Sequence, residues 1–377
     1  MPSRLTLSVM VGPVVPIPLP QAAIDELTNV EVTQTAERGK PGGFRLTFNL
    51  SKHSPLHTIF LLTGGAVPPV MRTLIVATIN GTPYVLMDGV ITKQDVSPGT
   101  DASHDTLDIT GVDLTAVMGW IDFSGIPYPA MPIEARAALI VAKYALFGIV
   151  PLVIPSILFD VPIPTDKIPK HKGTDLQYLN ALAELVGYVF YVDPGPQPGM
   201  SIGYFGPEIK VGIPQPALSV NMDAHSNVEQ LSFSLDTEEK KLPVTFVQDL
   251  LSKIPIPLPI PDISPLNPLL GAVPLPAKKI EYVTDSAKRS PIQAVLHAMA
   301  QAAGSADGLS GTGTLDVLRY GQPLHARGLV GVRGAGAAFD GLHFVQQVTH
   351  KIKRGEYKQE FKLTRNGLLP TLPKVPI

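Results

Sequence analysis

Residues 341–367, GLHFVQQVTHKIKRGEYKQEFKLTRNG, alternate between apolar and polar side chains with a period of two, the spacing of a strand with one covered face. The even positions Leu342, Phe344, Val348 and Ile352 are apolar, and the odd positions His343, Gln347, Thr349, Lys351 and Lys353 are polar. After Arg354-Gly355 the parity flips. Tyr357, Phe361 and Leu363 are now apolar, while Glu356, Lys358, Glu360, Lys362 and Thr364 are polar. A two-residue turn at Arg354-Gly355 accounts for the flip, because it places Ile352 opposite Tyr357, Val348 opposite Phe361 and Gln346 opposite Leu363 on one face. A three-residue loop would set apolar side chains against polar ones. Each apolar pair contributes ~0.2–1 kcal/mol beyond an alanine pair.

The same period marks residues 1–115 as a β domain. FRLTFNLSK puts Phe44, Leu46, Phe48 and Leu50 on one face, and TLIVATINGTPYVLMDGVI holds two strands around the turn pair Asn80-Gly81. From Pro132 the pattern becomes helical: PIEARAALIVAKYALFG has a proline start, good helix formers and Gly148 as a stop. A second helix, in GTDLQYLNALAELVGYVFYVD, carries a Thr174/Gln177 capping box, a stripe of Leu176, Leu179, Leu182 and Leu185, and Gly187 as its end. It leads into a strand at 188–192. Strand character returns at 226–235, where Leu231, Phe233 and Leu235 alternate with Gln230, Ser232 and Ser234. Further helix is predicted over 291–303, followed by a glycine-rich loop, GSADGLSGTG.

Between these lies KIPIPLPIPDISPLNPLLGAVPLP, in which prolines alternate with aliphatics from Ile254 to Pro261. Every second N–H is missing there, so the run is excluded from a central strand. It reads as extended or polyproline-like chain whose aliphatics need cover, as a strap against the protein's own body or a neighbour would provide.

The two β blocks resemble each other. TLIVATINGTP and TLDVLRYGQP both run from Thr-Leu-x-Val to Gly-x-Pro, at Gly81/Pro83 and Gly321/Pro323. Asp88-Gly89 and Asp340-Gly341 each open a strand that reaches Val-Ser/Thr at Val96 and Val348. The expectation is a duplicated β unit around an α/β insertion.

Composition narrows the function classes. Of 377 residues, 45% are hydrophobic and 16% charged, a ratio that points to large buried interfaces. The formal charge of −2 implies no bulk attraction to nucleic acid or anionic lipid, although residues 351–365 carry six basic and two acidic side chains, as a solvated strand face does. With no cysteine, disulfides and thiolate metal sites are excluded, and a reducing assembly compartment fits. The prolines at 13, 16, 18 and 20 argue against a signal-peptide helix, and Lys143 with repeated prolines breaks the longest apolar stretch, so no membrane span is expected.

Chemistry-bearing motifs are sparse. His53 and His57 flank Pro55 without a third ligand. GLVGVRGAGAAFDG lacks the Gly-Lys-Ser/Thr of a phosphate loop and precedes a strand signal. GLSGT at Gly308 fails the nucleophile-elbow pattern at its last position, and Asp236, Glu238 and Glu239 beside Lys240 and Lys241 read as an exposed turn. Catalytic, cofactor-binding and metal residues are therefore all expected to be absent.

The end block, GTLDVLRYGQPLHARGLVGVRGAGAAFDGLHFVQQVTHKIKRGEYKQEFKLTRNGL, resembles the C-terminal part of phage late control D-type proteins, the baseplate hubs of contractile tails and injection systems. GTDLQYLNALAELVGYVFYVD is similar to that family's helix-strand element, found also in the hub half of type VI secretion spike proteins. The resemblance covers most of the chain and is loose over 240–290. It implies an α+β, mainly β fold with two related tube-like β-barrels per subunit, in a homotrimer. The pseudo-sixfold ring so formed would join a sixfold inner tube to a threefold spike among other baseplate components. The implied division is 1–115 for the first barrel, 116–222 for an α/β insertion, 223–366 for the second barrel with a Pro-rich and helical insertion at 236–309, and 367–377 for a tail. Since the sequence stops eleven residues after Asn366, a separate spike protein is expected. So are assembly in a bacterial cytoplasm and a final place in a phage tail or tail-like particle. In that setting Gly355 and Phe361, with the repeat residues, mark barrel structure rather than chemistry. Two other readings stand beside it: a tail-associated cell-wall hydrolase, which lacks an acid, base or nucleophile constellation, and a carbohydrate- or receptor-binding β module, which needs exposed aromatics where the chain has one tryptophan, Trp120.

Overall fold

A computed structural model describes residues 5–51, 54–62, 70–98, 105–156, 168–236, 240–248, 255–260, 267–283, 298–299, 302 and 307–371. It is mainly β, with 51% of the described residues in strands or bridges. The first half contributes β1 (Leu5–Gly12), β2 (Ile17–Pro18), a short helix α1 (Gln21–Asp25), β3 (Leu27–Thr35), β4 (Gly43–Leu50), β5 (Arg72–Ile79), β6 (Thr82–Ser97) and β7 (Asp105–Asp113). An α/β segment follows, with α2 (Ile133–Ala142), β8 (Ile149–Val153), α3 (Asp175–Val186), β9 (Val189–Pro194) and β10 (Ser201–Gly206). The second half holds β11 (Gln215–Ser219), β12 (Val228–Leu235), β13 (Lys241–Gln248), β14 (Pro255–Pro259), β15 (Gly271–Pro274) and β16 (Lys279–Val283). It ends with β17 (Leu309–Asp316), β18 (Leu329–Arg333), β19 (Gly341–Lys353), β20 (Glu356–Arg365) and β21 (Gly367–Pro370).

Thirteen strands form one sheet in the order β12-β17-β20-β19-β3-β4-β7-β6-β5-β1-β2, with β11 on β18 and β18 on β19. The strand β19 joins its two halves. One edge pairs with β20, and the other carries β18 on its first residues and β3 on Gln347–Lys353. A single apolar core, from Val9 through Phe44, Phe48 and Val348 to Leu363, runs beneath both halves.

The β19–β20 hairpin has the expected two-residue turn, with Lys353 opposite Glu356, Ile352 opposite Tyr357 and Val348 opposite Phe361. Gly355 takes the left-handed φ of +77° that such a tight turn demands. The expected Gln346–Leu363 pair does not form. A β-bulge between Val345 and Gln347 puts Val345 opposite Leu363, which sends Val345 into the main core and Phe344 to a separate cluster with Leu270 and Leu329.

Two sets of five strands share one sheet order, but not with the matches read from the sequence. Thr314–Asp316 close β17, whose partner strands are β12 and β20, whereas β5 pairs with β6. Asp316 then caps a helical turn, Val317–Tyr320, that ends at Gly321. Gly321 and Pro323 therefore have no counterpart in the Asn80-Gly81 hairpin and Pro83. The matching set is β3, β4, β5, β6, β7 with β12, β17, β18, β19, β20. In both sets chain order is preserved, and sheet order is β3-β4-β7-β6-β5 against β12-β17-β20-β19-β18. Two bulges fix the register. The bulge between Ile91 and Lys93 opposite Gly111/Thr110 matches that between Val345 and Gln347 opposite Leu363/Lys362. The bulge between Leu27 and Asn29 opposite Phe48/Thr47 matches that between Val228 and Gln230 opposite Leu315/Thr314. On this register Asp88 corresponds to Leu342 and Val96 to His350, so Asp88-Gly89 and Asp340-Gly341, like Val96 and Val348, lie on matching strands but two residues out of step.

Several boundaries shift. The strand β11, inside the expected 116–222 segment, pairs with β18 of the large sheet. The tail opens with β21, which pairs with β15. Half of the expected glycine-rich loop is β17, where a Cβ on Gly313 would come within 2.5 Å of the Phe361 ring. The glycine lets that ring lie across the strand. The prolines of β14 sit on an edge strand whose ladder partner is β13, consistent with an antiparallel pair needing only alternate N–H groups. Further along the Pro-rich stretch, Leu270 and Leu275 are buried, and Asn366 ties the Leu270 N–H and the Pro268 carbonyl to the end of β20. The predicted helix over 291–303 falls mostly outside the described residues.

Both helices of the α/β segment follow their sequence signals. Thr174 and Gln177 form the capping box of α3, and Gly187 ends it in a left-handed conformation. Leu179 and Leu182 pack with Ile140 and Val141 of α2 over the sheet β8-β10-β9.

Candidate assembly surface

Continuous pairing from β20 to β6 gives the sheet one apolar and one polar face. On the apolar side a row runs Tyr357, Ile352, Val30, Leu46, Ile109. One step along the strands, the opposite face carries Lys358, Lys351, Glu31, Arg45, Thr110 and Lys93 in sequence. The alternation seen in one hairpin is thus a property of the whole sheet. Charges on the polar face are matched locally: Arg45 grips Asp108 at 2.6 Å, Lys351 meets Glu360 at 2.5 Å, Lys93 meets Asp95 at 2.6 Å, and Lys358 lies between Glu229 and Glu356. The Asp108 carboxyl is held below the usual range, chiefly by its hydrogen bond from Arg45. A balanced network of this kind suits a hydrated wall better than a site for one ion.

Two edges of this surface carry no strand partner among the described residues: the outer edge of β12, and the edge of β6 beyond Ile91, where β5 no longer reaches. Apolar side chains stand exposed at both, Val96 at 43% and Leu235 at 42%.

Asp88, expected only to start a repeat strand, is instead a buried anchor. Arg72 of β5 donates to both its oxygens at 2.8 and 2.6 Å, and the Ser201 hydroxyl of β10 donates at 2.9 Å. Arg72 also reaches the carbonyls of Val14 and Gly199. This node fastens the α/β segment to the large sheet. Neither Arg72 nor Ser201 was signalled by the sequence, since Ser201 reaches Asp88 across 113 residues.

The other repeat residues take structural places. Gly81 forms the β5–β6 turn, Pro83 stands opposite Thr78, and Gly89 stands opposite Thr73 and Asp113. Pro323 is buried in the β17–β18 connection, and Asp340 accepts the Ala335 N–H just before Gly341 opens β19. They are not gathered into one site.

Behind the apolar face, the His350 ring nitrogen Nδ1 lies in hydrogen-bond contact with Tyr357 Oη at 2.8 Å and Gln359 Nε2 at 3.1 Å, while Gln359 also bonds both backbone groups of Leu324. Burial holds His350 down at about 3, and burial with the nearby Arg365 does the same for His343. The unfolded chain takes up these protons near pH 6.5, so their contribution is intact above that value and lost as pH falls toward ~3, at about 1.4 kcal/mol per pH unit for each histidine. Denaturant titrations should therefore show His350→Gln with a flatter acid dependence than the parent over that window.

Among the described residues, no group of three or more His, Asp or Glu side chains could hold a metal ion, and no helix is long and apolar enough to cross a membrane.

No protein-family model and no curated protein matches the sequence. Solved structures do. A tail protein from Neisseria meningitidis aligns over 97% of this chain and 98% of its own, with TM-score 0.62 and 16% identity. The 43 kDa tail protein of prophage MuSo2 from Shewanella oneidensis aligns over 96% and 99%, with TM-score 0.62 and 12% identity. An Escherichia coli component of the type VI secretion system, itself similar to T4 tail proteins, aligns over 93% and 78%, with TM-score 0.52 and 12% identity. These are tail and secretion-system components. With 97% and 96% of its length matched by the first two, the chain has the fold of phage tail proteins.

Proposed function

We propose that the protein is the structural hub of a phage tail or contractile injection particle: a homotrimer whose two matched β units per chain act as tube-like barrels. Six such units form a ring of approximate sixfold symmetry, seating a sixfold inner tube on one side and a separate threefold spike on the other. The carrying observation is the duplication with its two coincident bulges, because a threefold object meets a sixfold one over a continuous interface only if each subunit offers two near-equivalent surfaces. The paired charges of the polar face suit the lining of the ring's lumen, and the α/β and Pro-rich segments lie outside it. The tail and secretion-system neighbours support a place in such a particle, with baseplate and spike components as partners.

Native mass spectrometry is expected to find three chains per particle, and two-dimensional image averages a ring with six similar lobes. A monomer at micromolar concentration would count against the hub and in favour of an isolated binding module.

A further inference from the structure

The junction between the two units within the chain is a worked example of an interface that the chain can make only once internally. There, β19 and β3 pair antiparallel from Gln347–Thr35 to Lys353–Asn29. Ala36 N–H donates to the Gln346 carbonyl at 2.7 Å, so the narrow, non-hydrogen-bonded positions are Thr349–Thr33 and Lys351–Glu31, and the two threonine hydroxyls indeed lie 3.2 Å apart. The structural counterpart of β19 is β6 and that of β3 is β12. Both counterparts have the corresponding edge open. We propose that Lys93–Ser97 of β6 pairs antiparallel with Ser232–Leu235 of β12 and the adjoining Asp236 in a second copy of the chain, with Asp95 opposite Ser234.

Transferring the internal register through the two bulges gives every pair. Gln347–Thr35 becomes Lys93 opposite Asp236, Thr349–Thr33 becomes Asp95 opposite Ser234, and Lys351–Glu31 becomes Ser97 opposite Ser232. On the apolar side, His350–Val32 becomes Val96 opposite Phe233, and Val348–Gln34 becomes Gln94 opposite Leu235. The chemistry agrees with the geometry. A lysine meets an aspartate, small polar residues meet each other, and the exposed Val96 is covered by Phe233, as its counterpart His350 is covered by Val32 at the internal junction, where both are fully buried. The copy also predicts where the ladder stops. Ile352 continues the internal junction, but its counterpart is Pro98, which has no N–H to give, so the intermolecular ladder ends at Ser97.

Because the two edges differ, the contact is head-to-tail: it cannot close a twofold dimer, and each added chain presents a fresh β6 edge until the ring closes. Closure at three chains rests on the hub reading; the strand pairing itself does not.

The absence of cysteine from the sequence allows a clean test. The double variant Asp95→Cys/Ser234→Cys places thiols at a narrow pair of the proposed ladder, and mild oxidation should convert most of the protein to reducible covalent oligomers ending at three chains. Asp95→Cys/Phe233→Cys and Asp95→Cys/Leu235→Cys, each one residue out of register, should link poorly. Thr33→Cys/Thr349→Cys should close within the chain and migrate as a compact monomer. If the parent is a trimer by native mass and the in-register variant does not link, or links no better than the shifted ones, the pairing is overturned while the hub reading survives. A ladder running past three chains would support the pairing and overturn the closed trimer; a monomeric parent would overturn both.

Discussion

Asp88→Ala should lower the stability of the protein by about 3–5 kcal/mol, the usual consequence of leaving one member of a buried ion pair without its partner. Arg72 has 4% of its side chain exposed and Asp88 none, so water cannot replace the lost carboxylate. The carbonyls of Val14 and Gly199 would still accept from the guanidinium, but they carry no charge. Ser201 would lose its acceptor at the same moment, loosening the contact between β10 and the large sheet. An apolar double replacement, Arg72→Met with Asp88→Leu, should recover much of the loss, because the expense lies in the unpaired charge rather than in the missing pair. Urea titrations of the two variants would distinguish these outcomes: if Asp88→Ala and the double variant unfold at the same midpoint, the node is dispensable packing.

Val348→Lys is expected to be at least as damaging, costing several kcal/mol and preventing soluble accumulation. Val348 is fully buried, opposite Phe361 on one side and Gln34 on the other, at the place where the two halves of the sheet meet. A lysine there has no carboxylate within the ladder to pair with. The matched substitution on the polar face, Lys351→Thr, removes one ion pair with Glu360 and should cost less than about 1 kcal/mol. Soluble yield and thermal midpoint of the two variants would check the assignment of faces; equal behaviour would contradict it.

The legible part of the fold is the part written in short periods. Alternation over two residues located the β19–β20 hairpin, its turn at Arg354-Gly355 and the buried face of β4, and cap residues located α3. Those signals are local, so each can be read without knowing the rest of the chain. The bulges interrupt the alternation by one residue and leave no compositional mark: Gln346 looks like any polar residue, yet it puts Val345, rather than Phe344, in the core that holds Val348. The same silence misled the comparison of the two halves. Similar words such as Thr-Leu-x-Val occur in β5 and at the β17–helix junction, in unlike settings, whereas the strands that do correspond share few residues and many pairings. Contacts such as Arg72 with Ser201's partner Asp88 depend on the packing of distant segments, which no local pattern encodes.

The four bulged positions that match between the halves, Thr28, Thr92, Glu229 and Gln346, have a bearing on how such a chain can vary. A bulge acts as a tooth in a ratchet: shifting the strand by one residue would move it out of its notch and turn a whole row of side chains inside out. Between teeth, therefore, spelling is free and counting is strict. The two halves can differ in nearly every letter and keep one strand order, yet lengthening or shortening is admitted only where the strands end. That is where the halves do differ, with seven residues joining β3 to β4 and the long Pro-rich excursion joining β12 to β17. Deletion scanning should read this out directly as a comb, intolerant within strands and permissive at their ends.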